Sequence, residues 1–138
     1  MQHEYTQPEN VSDEAVEAAG KMSEAIELVE RARGRLYDFH QMIGEADFKL
    51  EEAANMLEKA GFTAQAKALR TEIIGRNVLH GRWTFQIIDE FDDLYYAPLK
   101  EAGKKVQQET VEGRRHLYEA KLKEQRRTKN EPGHEGRP

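Results

Sequence analysis

The chain has 138 residues, 38% hydrophobic and 34% charged, with a formal net charge of -5 and no cysteine. That length fits one domain, and the missing cysteines exclude disulfides, zinc–thiolate centres, iron–sulfur clusters and a cysteine nucleophile. Few apolar residues beside so many charges is the balance of narrow amphipathic helices with wide solvated faces, and the acidic excess argues against nucleic acid as the main partner.

Residues 1–11 read as a flexible lead. Met1 to Asn10 has neither the basic start nor the apolar core of a signal peptide. No stretch of the chain approaches the ~20 apolar residues of a membrane span, so a cytoplasmic protein with no membrane contact is expected. Ser12 is placed to cap a helix whose first turn carries Asp13 and Glu14, acids that suit the positive end of the helix dipole. The helical pattern then runs to Gly61, a C′ glycine after Lys59. Gly20, Gly34 and Gly44 are weak points inside it, each costing roughly 1 kcal/mol relative to alanine, with a break expected first at Gly20.

Thr63 caps a second helix from about Ala64, with Leu69, Ile73, Trp83, Ile87 and Leu94 on its apolar side and a kink or interruption at Gly81. Pro98 suits the first turn of a third helix, which carries Leu99, Ala102, Val106, Leu117 and Ala120. From Thr128 the chain is polar and rich in proline and glycine, the composition of a disordered tail. The predicted fold is all-α: an antiparallel up-down-up three-helix bundle over residues 12–127 as one domain, with an N-terminal helical extension and a disordered tail over 128–138.

The first helix has a seam with a 3.5-residue repeat: Val29, Arg33, Leu36, His40, Ile43, Asp47, Leu50, Ala54, Leu57. With the first turn centred near residues 61–62, Asp47 falls opposite Arg76, Arg33 opposite Glu90, His40 opposite Trp83 and Ile43 opposite His80. With the second near 96–97, His116 approaches the Asp47–Arg76 pair and Glu109 approaches His40. Buried charges must be paired to be tolerated, so these residues are read as a buried polar network that fixes alignment. The sharper alternative is a metal or small-ligand site between helices, built on His40, Asp47 and His116.

Other candidates are weaker. Glu112, His116 and Glu119 share one face of a continuous helix, and Asp89, Glu90 and Asp93 lie on another, but neither group has the Glu-x-x-His or His-Glu-x-x-His spacing of bundle metal sites. No metal, cofactor or catalytic residue is therefore assigned. Ser12 and Ser23, the only serines, lack the context of a nucleophile, and no phosphate-binding glycine loop occurs. Arg114, Arg115, Lys121, Lys123, Arg126, Arg127 and Lys129 form a basic segment that also fits a helix C-terminus. Phe91, Leu94, Tyr95 and Tyr96 either close a bundle end or form a contact surface. In the three-helix register, residues 12–29 overhang the bundle and leave Val16, Met22, Ile26 and Val29 as an apolar stripe that must be covered, either by the chain bending near Gly20 and folding back or by a partner. A homodimer or another protein is expected there.

The stretches ARGRLYDFHQMIGEADFKLEEA (32–53), LRTEIIGRNVLHGRWTFQIIDEFDD (69–93) and GRRHLYEAKLKEQRR (113–127) resemble a family of small uncharacterised proteins from high-GC Gram-positive bacteria, over about three-quarters of the chain. The resemblance implies a bacterial cytoplasmic protein and carries over no functional residues. The expected function is that of a non-enzymatic, self-associating interaction or scaffold protein; a ligand-binding bundle with a His/carboxylate cluster is the alternative.

Overall fold

A computed structural model describes residues 6–114 and 116–138, and the fold is all-α. Helix α1 spans Asp13–Lys59, α2 Thr63–Glu72, α3 Thr84–Phe91, α4 Ala97–Val111 and α5 Leu117–Arg126, with a π-helical segment, Asp92–Tyr96, between α3 and α4. Among the described residues there is no strand beyond an isolated bridge between Leu79 and Arg82. No described helix is long and apolar enough to cross a membrane. The chain divides into two compact units, residues 30–96 and residues 1–29 with 97–138.

The start of α1 is as the sequence predicts. Ser12 Oγ accepts the Ala15 N–H at 3.1 Å, relieving one of the donors that a helix start leaves unpaired. The expected break at Gly20 does not occur: α1 is helical through all three interior glycines for 47 residues. Its end is a complete Schellman motif. Gly61 has φ +92°, its N–H reaches Glu58 O at 3.1 Å, and the Phe62 N–H reaches Leu57 O at 2.8 Å.

In the unit of residues 30–96, α1 turns the predicted seam inward. Arg33, Leu36, His40, Ile43, Asp47, Leu50 and Leu57 are half-buried and Ala54 is buried, with Ala66, Thr84 and Ile88 buried on the returning chain. The second helix, expected to be continuous or kinked at Gly81, stops ten residues after it begins. Ile73 and Ile74 both donate to Leu69 O, and Gly75 follows at φ +76°, a conformation glycine adopts without strain. A loop then runs to Trp83. It contains a tight turn in which Arg82 N–H donates to Leu79 O at 3.1 Å and Gly81 takes φ +67°. Helix α3 starts with half a capping box: the Gln86 side chain accepts the Trp83 N–H at 2.9 Å.

The turn expected near residues 96–97 is also absent. Helical residues run on from Thr84 to Val111, and Pro98 lies just after the π segment. Proline cannot donate to the preceding turn, and a widened π turn is one way for a helix to continue past that loss.

In the unit of residues 1–29 and 97–138, Val11, Val16, Val111 and Leu117 form the buried core, with Ala15, Ala19 and Tyr118 packed on it. The described part of the lead is held in place. Gln7 donates to Val11 O at 2.7 Å and Thr6 O accepts from Arg114 at 2.9 Å; residues 1–5 lie outside the described residues. After Arg126 the chain makes turns rather than helix, with Thr128 N–H donating to His134 Nδ1 at 3.1 Å.

Candidate functional site

Three polar stations follow one another along α1 in the unit of residues 30–96. At the first, Arg33 meets Asp92 rather than the expected Glu90. The guanidinium makes a two-pronged contact, at 2.8 Å and 2.9 Å, and lies over the rings of Tyr37 and Tyr96 at 4.9 Å and 4.6 Å. Hydrogen bonding to Asp92 raises the Arg33 pKa further, and the same bond holds the Asp92 carboxyl below its usual range. Tyr96 donates to the Glu30 carboxylate at 2.8 Å. The π segment supplies both Asp92 and Tyr96, so its wider turn presents the two groups that engage α1 here. Glu90 pairs instead with Arg82 of the preceding loop, which lowers the carboxyl pKa and raises that of the arginine.

At the second station His40 Nδ1 and Thr84 Oγ1 lie 2.6 Å apart, where Trp83 was expected to face the histidine. Thr84 is 6% exposed, so each group is the other's relief from burial. At the third, Asp47 accepts the backbone N–H of Gly75 at 3.0 Å, one residue from the expected Arg76, whose guanidinium turns back to Glu72 O at 3.3 Å. Gly75 O in turn accepts the Trp83 indole N–H at 3.1 Å. Three of the predicted pairings, those of Arg33, His40 and Asp47, thus fall within two residues of the observed ones.

That loop and α1 enclose a cleft of about 460 Å³. Ile43, Asp47 and Leu50 form its floor on α1, and Ile73, Val78 and Trp83 its far wall; Phe48, Arg76 and Thr84 also line it. It is chiefly apolar, yet its aromatics remain in solvent: Phe48 is 71% exposed and Trp83 46%. Its polar side chains are those of Asp47, Arg76, Asn77 and Thr84.

The remaining predicted residues lie in the other unit. Glu109 is exposed on α4. His116 is not on a continuous third helix. Glu112 and Gly113 take positive φ and end α4, and His116, at φ +59°, is the residue before α5, its Nδ1 3.9 Å from Glu119. The face expected to join Glu112, His116 and Glu119 is therefore broken. Among the described residues no three His, Asp or Glu side chains gather as a metal ion would need, so the ligand site expected of His40, Asp47 and His116 gains no support.

The stripe expected to be uncovered is covered by its own chain. Val16 is 1% exposed and belongs to the core with Val111 and Leu117, while Met22, Ile26 and Val29 are half-buried. Ile26 and Met22 pack beside Gly103 of α4. The overhang was inferred from a helix ending near residue 96; α4 carries that helical path on to Val111 and provides the cover. In the basic segment, Lys121 pairs with Asp13 at 3.0 Å, and Arg127 and Lys129 pair with Glu124 at 2.8 Å and 3.7 Å. Arg115 lies outside the described residues.

Sequence reading missed Asp92, Thr84 and Gly75 as partners, and Phe48 and Val78 as cleft residues. Gly75 with Asn77 was the available signal, since that pair favours a turn. No protein-family model, no curated protein and no solved structure matches the chain.

Proposed function

We propose that this chain is a non-catalytic interaction protein whose cleft between α1 and the loop ending at Trp83 receives an apolar segment of another protein. The observation that carries the reading is the persistence of exposed aromatics on a wall that is already fixed. Phe48 and Trp83 stay in solvent while Gly75 is held from both sides, by Asp47 and by the Trp83 indole. A large apolar surface left open on an ordered frame is the usual mark of a contact site, and aromatic anchors in such sites carry most of the binding energy. Pinning the loop beforehand lowers the ordering cost of binding. Arg76 and Asp47 at the cleft supply polar contacts of both signs that orient the occupant.

The test is selection of a random peptide library on the immobilised full chain. Trp83 is the single tryptophan, so its emission reports what enters. Selected peptides should carry apolar or aromatic anchors, shift Trp83 emission to the blue, and lose binding to Phe48→Asp. A library that yields no binder sensitive to Phe48→Asp overturns the reading.

A further inference from the structure

We infer that the chain forms an antiparallel homodimer through a second seam on α1, separate from the seam buried in its own unit. Ala32, Arg35, Phe39, Met42, Ala46 and Lys49 alternate in steps of four and three along α1, and all six are exposed, Met42 at 65% and Phe39 at 40%. This is a 3.5-residue repeat set one residue before the buried one, about 100° round the helix. Its drift of roughly 20° per heptad over this short length is what a left-handed pair of helices absorbs.

The pattern of sizes and charges selects a second copy of this chain as the occupant. In a parallel pair, like positions meet, so Arg35 would face Arg35 and Lys49 would face Lys49 in the seam. In an antiparallel pair with its two-fold axis between Phe39 and Met42, each seam layer joins unlike residues. Phe39 faces Met42 of the second copy, Arg35 faces its Ala46, and Lys49 faces its Ala32. Each long cation then lies over an alanine, its stem packed and its charged head free to reach water. On the flank, Arg31 meets Glu52 of the second copy and Asp38 meets its Glu45, each twice by symmetry, so the flank charges balance. Sliding by one heptad in either direction parts Phe39 from Met42. One slide puts Lys49 on Phe39 and Glu45 on Glu45; the other puts Arg35 on Phe39 and Asp38 on Asp38, with Arg31 on Glu45. Of the seam residues Ala46 alone also lines the cleft, and the two readings are tested apart: Met42→Glu reports on the dimer and Phe48→Asp on the cleft.

Sedimentation equilibrium on the full chain should give twice the 15.9 kDa of one copy. Met42→Glu, a change at an exposed position, should raise the dimer dissociation constant by more than about tenfold while circular dichroism stays unchanged. Because the chain has no cysteine, Ala32→Cys mixed with Lys49→Cys should oxidise to a disulfide-linked heterodimer. Neither variant alone should cross-link, since the two copies of position 32 would lie about 25 Å apart. A monomer at every concentration overturns the inference, as does a dimer that tolerates Met42→Glu, or self-cross-linking of either single variant.

Discussion

Replacing Gly20 with alanine should destabilise the protein, although the same change at Gly34 and Gly44 should stabilise it. All three glycines lie inside α1. By helix preference alone each substitution gains up to roughly 1 kcal/mol. The surroundings decide the sign. A Cβ on Gly34 or Gly44 meets nothing within 4 Å, whereas on Gly20 it falls 2.8 Å from Tyr118 Cβ and 2.9 Å from Tyr118 Cγ. Those atoms sit at the root of the tyrosine, so no rotation of its ring clears them and a helix must shift. Overpacking of this kind costs about 1–3 kcal/mol. The helix-preference gain is common to all three, so the gap between Gly20→Ala and Gly34→Ala is the overpacking cost itself, about 1–3 kcal/mol. Urea denaturation followed by circular dichroism measures that gap. Gly20→Ala as stable as Gly34→Ala would show that α1 and α5 do not approach as closely as described.

Three further outcomes are expected. Asp92 has a pKa lowered in the folded chain by its bond from Arg33, so its contribution is present above the unfolded carboxyl pKa of about 3.9 and is lost as pH falls through the lower folded value; acid titration of the unfolding midpoint should show less loss below about pH 4 in Asp92→Asn than in the parent. Thr84→Val removes the partner of a half-buried His40 nitrogen and should cost about 1–3 kcal/mol in chemical denaturation, while Thr84→Ser, which keeps the hydroxyl, should cost less. Asp47→Ala frees the Gly75 N–H and should speed amide exchange across residues 75–83 about tenfold, with Trp83 emission moving to the red.

The inward seam of α1 was legible because its 3.5-residue repeat continues from Arg33 to Leu57 through polar as well as apolar residues, and each is at least half-buried. The end of α1 was legible because Gly61 sits where only a left-handed residue closes the motif. The returning arm was not. Ile73 and Ile74 extend the apolar spacing of α2, so periodicity cannot mark the stop, and Gly75 does so through backbone conformation alone. Pro98 misled for a related reason. A residue without an N–H fits a helix start, where that donor is spare, and it also fits a helix that continues past a π turn. Reading it as a start removed α4 from above Val16 and Ile26, and an apparently open stripe followed. His116 escaped its expected place because Glu112 and Gly113 both leave the helical region of backbone space.

One core of this protein joins stretches far apart in its sequence, with Val16 closing against Val111 and Leu117. During synthesis those partners are about 100 residues apart in time as well as in sequence. At roughly 5–20 residues per second, Val16 is added to the chain about 5–20 s before Leu117. Residues 30–96 have by then been translated in full, while the first turns of α1 still lack the side chains that shelter them. The nascent chain thus spends seconds with Val16 open to chaperones or to neighbouring chains, until α4 and α5 are made and end that exposure.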